Sequence, residues 1–327
     1  MGISGNVIKL NELKLVGLNY IITKLLKVDN LNKYQSSCNI LTKKLFNHVS
    51  FKTYAFIEKV SDQIPLFNNV YKLDMVKCRR NNVYYNKMDY CKFSVMDKPE
   101  IFTGDITTGF YYVISDNYYP LRGNGWYSYP MINYCLENNI INKYDITMEL
   151  KPSQIIKHDE LKNDIDILLD SSKSNKTIQK ILPNSLFGLF GISKTSRTIN
   201  KFTLSLEEAS QDIDKENIFI RQHNLDENNT LYQKIINIEK NNDITCYPIY
   251  KQILEIEAIE LHRLETKIKS KGGVILDRNT DAIRYASKKE IIINDCYDNS
   301  DINKYQTEIA EKILENSGDS FAAECKM

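Results

Sequence analysis

Two short stretches of the sequence carry carboxylates where an apolar strand or hairpin is expected. In LDMVKCRR, Asp74 interrupts an apolar run and is followed by a Lys and two Arg residues. In VILDRNTDAIRY, Asp277 and Asp281 flank a tight turn. Carboxylates brought together from two strands could hold a pair of Mg²⁺ ions, because Mg²⁺ prefers oxygen ligands. Such a pair of ions stabilises the attacking and the leaving oxygen of phosphoryl transfer, and neighbouring cations offset phosphate charge.

A third stretch, KILPNSLFG, carries a cation, an amide and an aromatic at helical spacing. Lys180, Asn184 and Phe187 stand at i, i+4 and i+7, so they project toward one side of a helix, beside Gly188. Together these residues could form a nucleotide site. The cation would reach a triphosphate, the aromatic would be a platform for a base pair beside the amide, and the glycine would allow close approach.

Each stretch also has a plain structural interpretation. A carboxylate at a hairpin tip is common turn chemistry, Asp74 could end a strand before a solvated basic face, and KILPNSLFG could be an ordinary amphipathic helix. The order and the joint occurrence of the three stretches favour the functional interpretation.

In this order the stretches resemble motifs A, B and C of family B DNA polymerases, and more narrowly the divergent protein-primed type of DNA viruses and linear plasmids. LDMVKCRR stands where that family has Asp-x-x-(Ser/Lys)-x-Tyr. KILPNSLFG matches Lys-x-x-x-Asn-Ser-x-Tyr-Gly except at Phe187, and RNTDAI matches Asp-Thr-Asp-Ser-Ile at the Thr, the second Asp and the Ile. The resemblance covers roughly residues 70–290.

The resemblance implies a catalytic centre with two Mg²⁺ ions. Asp74 and Asp281 would bind both ions, and the backbone carbonyl of Met75 would complete the site. Asn279 and Thr280 would lie near the primer end. Asn279 replaces the first Asp of motif C, whereas the second Asp, the family's metal ligand, is kept as Asp281.

The resemblance also implies positions that contact the incoming nucleotide. Lys180 would bind the triphosphate, while Asn184 and Phe187 would line the nascent base pair. Arg79 stands where motif A has the Tyr that excludes ribonucleotides, so it is a substrate-binding position with altered sugar discrimination. Pro183 either interrupts the helix or begins it, and a helix beginning there would place Lys180 before its first turn.

The helices and strands that must position these residues indicate an α+β fold. A small antiparallel palm sheet would be built from strands near 70–76 and 108–114 and from the 273–287 hairpin. The helix 247–270 would back this sheet, and helices within 155–192 would form the fingers. A full thumb and a proofreading exonuclease are expected to be absent, because little chain follows motif C or precedes Asp74.

This interpretation divides the chain into four segments. Helices are also expected within 7–60 and at 301–315. The segments are an N-terminal helical segment (1–67), the first part of the palm with motif A and an aromatic insertion (68–152), fingers with motif B (153–195), and the second part of the palm with motif C and a short tail (196–327).

Composition places few limits on these roles. Lys and Arg number 43 and Asp and Glu 42, so a nucleic-acid surface would have to be a local patch. The seven cysteines are scattered without C-x-x-C, as expected for reduced thiols in an intracellular protein. No apolar run is long enough to span a bilayer. The sequence predicts a soluble, virus- or plasmid-encoded protein that acts inside the host cell, with no membrane partner.

The sequence thus predicts a DNA-directed DNA polymerase that acts on a DNA primer-template and dNTPs. A terminal protein, or a separate chain supplying thumb and exonuclease, is a further expected partner. Two alternatives stay open. The fold could persist as an inactive polymerase remnant that binds nucleic acid or other partners, or the motifs could be coincidental in an unrelated α/β protein.

Overall fold

The chain combines helices with several small antiparallel sheets, as expected for an α+β protein. A computed structural model describes residues 15–27, 31–37, 57–61, 69–75, 78–116, 118–173, 175–192, 194–211, 217–225, 229–241, 244–293 and 305–309. The helices are α1 (Leu15–Leu26), α2 (Cys78–Tyr85), α3 (Tyr129–Glu137), α4 (His158–Ser171), α5 (Lys176–Phe190), α6 (Leu206–Ser210) and α7 (Tyr247–Ser270), with a 3₁₀ turn at Lys143–Asp145.

The strands form short ladders that are all antiparallel. They are β1 (Ser36–Ser37), β2 (Ile57–Lys59), β3 (Asn69–Met75), β4 (Tyr90–Lys92), β5 (Glu100–Ile101), β6 (Phe110–Val113), β7 (Gly125–Ser128), β8 (Ile146–Leu150), β9 (Gln154–Ile156), β10 (Lys194–Thr203), β11 (Ile218–Asn224), β12 (Thr230–Asn241), β13 (Ile244–Thr245), β14 (Val274–Asn279), β15 (Ala282–Ser287) and β16 (Tyr305–Ile309).

The sheet that carries the two acidic motifs has five strands in the order β16-β3-β15-β14-β2. Along β3 and β15 successive side chains alternate between the two faces of this sheet. Tyr71 and Leu73 of β3 join Ile283 and Tyr285 of β15 in one apolar cluster, which the last turns of α7 cover. The predicted strand near 70–76, the 273–287 hairpin and the helix 247–270 are therefore confirmed.

One predicted strand belongs elsewhere. The aromatic run FYYV forms β6, but β6 lies in a separate four-stranded sheet of order β5-β8-β6-β7. The expectation that 108–114 contributes to the same sheet as Asp74 was wrong. The reason is local pairing: β7 follows β6 closely in sequence and pairs with it from Phe110 to Val113, while β8 takes its other edge.

Helix α7 is the central support of the fold. It is buried along most of its length and contributes residues to three apolar clusters, so it joins α4 and α5 at its start to the five-stranded sheet at its end. One of its buried carboxylates has partners from two elements: Lys251 Nζ lies 3.2 Å from Glu255 Oε1, and Ser128 donates its N–H and its hydroxyl to Glu255 Oε2.

Helices α4 and α5 pack together as the expected helical hairpin. Asn175 caps α5, because its side chain accepts hydrogen bonds from the N–H groups of Thr177 and Ile178. Pro183 therefore lies inside the helix, and the helix does not begin there. Its ring is buried, and the helix continues through it although a proline cannot donate a backbone hydrogen bond.

Two predicted helical segments differ from the structure. Residues 305–309, within the helix expected at 301–315, form strand β16, which pairs with the free edge of β3. The stretch YQTEI alternates with a period of two, and pairing satisfies an otherwise open sheet edge. Within 7–60, α1 is helical but 57–59 is strand β2; residues 7–14, 28–30 and 38–56 lie outside the described residues.

Strands β10, β12 and β11 form a further antiparallel sheet in that order. Among the helices that the structure describes, none has the length and apolar character needed to cross a membrane.

Candidate active site

The register of β3 and β15 brings the two predicted metal ligands together. Asp74 stands opposite Ala282, the residue that follows Asp281. The backbone N–H of Met75 donates a 2.9 Å hydrogen bond to the carbonyl oxygen of Asp281, which ties the end of β3 to the tip of the β14–β15 hairpin. Two segments about 200 residues apart thus bring Asp74 close enough to Asp281 for its charge to raise the pKa of that carboxyl.

The hairpin tip adopts an unusual backbone conformation. Asn279 pairs with Ala282, which leaves Thr280 and Asp281 as the turn. Thr280 has a φ of 52°, in the left-handed region that a β-branched residue rarely enters. Such a conformation costs roughly 1–3 kcal/mol and is typical of functional sites. The fold therefore holds Asp281 at the tip of a strained turn.

The electrostatics of this tip disfavour negative charge. Burial raises the pKa of Asp281, and the adjacent negative charge of Asp74 raises it further. Lys72 Nζ lies 3.2 Å from Asp74 Oδ2, and the charges of Arg79 and Lys72 partly oppose the shift at Asp281. Two carboxylates in this position would be stabilised by additional positive charge.

A third carboxylate near this pair was missed by the sequence analysis. Glu257 of α7 is buried, and its Oε2 accepts a 3.1 Å hydrogen bond from Nε of Arg79 at the start of α2. Burial raises the pKa of Glu257 to about 7 against the opposing effect of Arg79, and Asp281 adds to the rise. The signal in the sequence was the spacing of Glu255, Glu257 and Glu260, which cannot all face solvent on one helix.

The motif B residues lie on α5, which packs against α2 and α7. Lys180, Asn184 and Gly188 are exposed and share one side of the helix. Phe187 is fully buried in the cluster that contains Leu186. The expectation that Phe187 shares the open side with Lys180 and Asn184 differs from the structure, because seven helical steps rotate Phe187 toward the core side of Lys180.

The structure therefore groups the predicted residues in two sets. Helix α5 carries Lys180 and Asn184 toward solvent and Phe187 into the core. The other set surrounds the hairpin tip, where Arg79 lies close enough to Asp281 for its charge to act on that carboxyl. The members of this set are Asp74, Met75, Arg79, Asn279, Thr280 and Asp281.

The donor set at the tip fits Mg²⁺. Mg²⁺ is commonly bound by one or two carboxylates together with water and substrate phosphates, and seldom by a closed protein cage. Asp74 and Asp281 supply two carboxylates, and burial and the charge of Asp74 raise the pKa of Asp281. Among the described residues no group of three His, Cys, Asp or Glu side chains could enclose a metal ion.

Comparison with known proteins gives a structural similarity without a sequence match. No protein-family model and no curated protein sequence matches the chain. The structure of phi29 DNA polymerase with single-stranded DNA aligns with a TM-score of 0.56 at 14% identity, over 90% of this chain and 52% of that chain. Its ternary complex with primer-template DNA and incoming nucleotides aligns with a TM-score of 0.57 at 13% identity, over 90% and 53%.

The chain spans about half the length of these phi29 structures. The binary complex with primer-template DNA aligns similarly, with a TM-score of 0.52 at 12% identity. At such low identity the similarity concerns the fold. The chain therefore has a DNA polymerase-like fold, and its resemblance to phi29 DNA polymerase, a protein-primed family B polymerase, is confirmed at the level of the fold.

Proposed function

We propose that the protein is a DNA-directed DNA polymerase that adds deoxynucleotides to a primer 3′-hydroxyl. In this reaction the 3′ oxygen bonds to the α-phosphorus of a dNTP and pyrophosphate leaves. The observation that carries the proposal is the proximity of Asp74 on β3 to Asp281 at the strained tip of the β14–β15 hairpin, on a fold similar to that of phi29 DNA polymerase.

In the proposed site, Asp74 and Asp281 would hold two Mg²⁺ ions, with the carbonyl of Met75 beside them. When bound, these ions stabilise charge on the attacking and leaving oxygens. The residues of the chain act by positioning and by charge. Lys180 binds the triphosphate and Asn184 faces the nascent base pair, because both are exposed on α5. Asn279 and Thr280 lie beside the primer end.

Two positions act differently from the simplest expectation. Phe187, buried beneath the exposed side of α5, supports the nucleotide-facing side from within the core. Arg79, held by Glu257, borders the sugar of the incoming nucleotide and gives the site its own sugar discrimination. We assign the palm to the five-stranded sheet with α7 and the fingers to α4 and α5. A terminal protein, or a separate chain with thumb and exonuclease, remains a proposed partner.

The test is primer extension by the purified protein with a DNA primer-template, dNTPs and Mg²⁺. We expect extension by the wild type, none in EDTA, and none by Asp281→Ala. Asp116→Ala is the matched control, because Asp116 is an exposed carboxylate on the loop after β6. Extension that is equal in wild type and Asp281→Ala would refute the assigned site.

The second candidate is a polymerase-like module that binds nucleic acid without catalysis. The engagement of Arg79 by Glu257 favours it, because a guanidinium held by a buried carboxylate occupies a position that should receive the nucleotide. Binding of the same primer-template with no extension under any divalent metal would support this candidate. Metal-dependent extension would exclude it.

A further inference from the structure

Arg79 lies close to the hairpin tip and to the end of helix α5 at the same time. Its charge acts on the carboxyl of Asp281 at the tip. Burial lowers the pKa of Arg79, whereas Glu257 and, more weakly, Tyr250 of α7 raise it, so Tyr250 lies near the guanidinium. The ring of Tyr250 packs against Gly191 at the end of α5. Helix α2, which begins beside Arg79, packs against both α5 and α7.

The proposed function places the sugar of the incoming nucleotide beside Arg79. The phosphates would lie at the ions on Asp74 and Asp281, and the base would face Asn184 of α5. Because the sugar joins the base to the phosphates, it lies between these two parts of the site. Arg79 is the side chain that lies near the tip and near the end of α5, so it is the one that can contact the sugar.

Glu257 holds the guanidinium of Arg79 through a single contact. Oε2 of Glu257 accepts a 3.1 Å hydrogen bond from Nε of Arg79. The Glu257 side chain is 2% exposed, whereas that of Arg79 is 25% exposed. Within the part of the chain that the structure describes, neither Nη atom of Arg79 donates a hydrogen bond. A guanidinium carries donors on all three nitrogens, so the Nη groups remain available to a ligand.

The charge of this pair favours a hydroxyl over a phosphate as the ligand. The carboxylate of Glu257 balances the positive charge of Arg79, which weakens the attraction of the pair for an anion. Its Nη groups remain good donors to a neutral oxygen. A hydroxyl at C2′ of the sugar would accept such a hydrogen bond, whereas a hydrogen at C2′ would leave the donor unpaired. Sites that can hydrogen-bond a hydroxyl disfavour the analogue that lacks it.

We propose that Arg79, positioned by Glu257, donates a hydrogen bond to the 2′-hydroxyl of the incoming nucleotide, so that the site accepts ribonucleotides as well as deoxynucleotides. The reaction is the same for both: the 3′ oxygen bonds to the α-phosphorus, pyrophosphate leaves and the 2′-hydroxyl stays intact. The inference rests on the proposed function for the location of the nucleotide.

The test compares the binding of ATP and dATP, which differ only in the 2′-hydroxyl. The full chain is mixed with Mg²⁺ and a DNA primer-template whose next template base is dT. The primer ends in a dideoxynucleotide, so the nucleotide binds without reacting. Calorimetric titration at pH 8, above the pKa of about 7 of Glu257, gives both dissociation constants. We expect the wild type to bind ATP about 5-fold more tightly than dATP, which is the effect of one hydrogen bond.

The main variant is Arg79→Met/Glu257→Gln, which removes the donors and leaves no buried charge unpaired. We expect its ratio of the two dissociation constants to fall to about 1, because no donor remains for the 2′-hydroxyl. Glu257→Met alone releases Arg79 and should lower the ratio similarly. Glu257→Gln keeps an oxygen that accepts from Nε, so its ratio should stay within about 2-fold of the wild type. A purely structural role of Glu257 would weaken the binding of ATP and dATP equally.

The matched control is Arg263→Met/Glu260→Gln on the same helix. That pair also joins a buried carboxylate, 3% exposed, to an arginine that is 31% exposed, at 2.5 Å. The Arg263 guanidinium lies 5.1 Å from the centre of the Tyr134 ring of α3. We expect this control to keep the ratio of the wild type.

A wild type that binds dATP at least as tightly as ATP would overturn the inference. An unchanged ratio in Arg79→Met/Glu257→Gln, or an equal change in the control, would also overturn it. Extension of an unblocked primer on the same samples separates the two proposals. Extension with dNTPs but without the expected ratio would refute the 2′-hydroxyl contact and leave the polymerase assignment intact. A preference for ATP that depends on Arg79, without any extension, would do the reverse.

Discussion

The hairpin tip and helix α5 were both expected to present functional residues, but they fix side chains in different ways. At the tip, Asp74 is set opposite Ala282 by strand register, and a hydrogen bond joins Met75 to Asp281. Side chains on a strand have only two directions, so register alone decides their face. On α5, each residue turns the direction by about 100°.

The rotation of side-chain direction along a helix explains why Phe187 is buried while Lys180 and Asn184 are exposed. Seven steps place Phe187 about 20° from Lys180 on one side, while Asn184 lies about 40° away on the other. The boundary between core and solvent falls between them, since Lys180 and Asn184 are exposed and Phe187 is buried. Residues on one broad side of a helix can therefore divide between solvent and core, whereas residues on one side of a strand stay together.

The largest expected effect tests whether the carboxylates of Asp74 and Asp281 act as one unit. Asp74→Ala and Asp281→Ala should each slow single-turnover primer extension about 1,000-fold, because each removes roughly 4 kcal/mol of transition-state stabilisation. The double variant should extend primers about as slowly as either single variant, since the losses caused by residues that act together are not additive. If instead the loss of rate in the double variant equals the product of the two single losses, the carboxylates act independently.

The next prediction concerns the buried side of α5. Phe187→Ala should lower the free energy of unfolding by about 3–5 kcal/mol, because it leaves a cavity in the core. Asn184→Ala, on the exposed side, should change it by less than about 0.5 kcal/mol. Denaturant unfolding measures both. A Phe187→Ala protein as stable as the wild type would place Phe187 on the solvent side with Lys180.

A third prediction concerns the pH dependence that Glu257 gives to the site. Its pKa in the folded protein is raised to about 7, above 4.5, so the folded state holds this proton more tightly than the unfolded state. Its contribution to stability is complete below about pH 4.5 and is lost as pH rises through about 7. Relative to the wild type, Glu257→Gln should therefore gain about 2–3 kcal/mol between pH 5 and pH 8.

This gain is measured by denaturant unfolding in EDTA at several pH values. Glu100→Gln is the control, because Glu100 is exposed on β5. The control curve should run parallel to that of the wild type. If the Glu257→Gln curve is also parallel, the buried carboxylate does not titrate in this range.

The smallest expected effect tests the exposed side of α5. Lys180→Ala should raise the KM for dNTP about 10- to 30-fold with a smaller change in kcat, because a charged hydrogen bond contributes about 2 kcal/mol. Lys173→Ala, at the end of the preceding helix, is the control, since Lys173 is an exposed cation in a surface ion pair with Asp170. Equal effects of the two variants would remove Lys180 from the nucleotide site.

The elements that hold the candidate site were largely predictable from sequence, because each has strong local signals. Helix α7 and the β14–β15 hairpin match their expected bounds, and the spacing around Asp74 and Asp281 indicated the site. The pairing of strands that are distant in the sequence was not predictable. Nothing in YQTEI indicates that 305–309 adds to β3, and nothing in FYYV excludes it from that sheet. Glu257 was missed for the same reason, since its partner Arg79 comes from a distant segment.

The strand order β16-β3-β15-β14-β2 has a consequence for how the chain is made. On a ribosome, β3 emerges about 200 residues before β15 and β16, the two strands that pair with it. At about 5–20 residues per second, β3 waits about 10–40 s with both edges unpaired. Asp74 and Lys72 are charged interruptions in an otherwise apolar strand. We therefore expect the same charged residues that lie at the candidate site to limit aggregation of the nascent chain through an open edge.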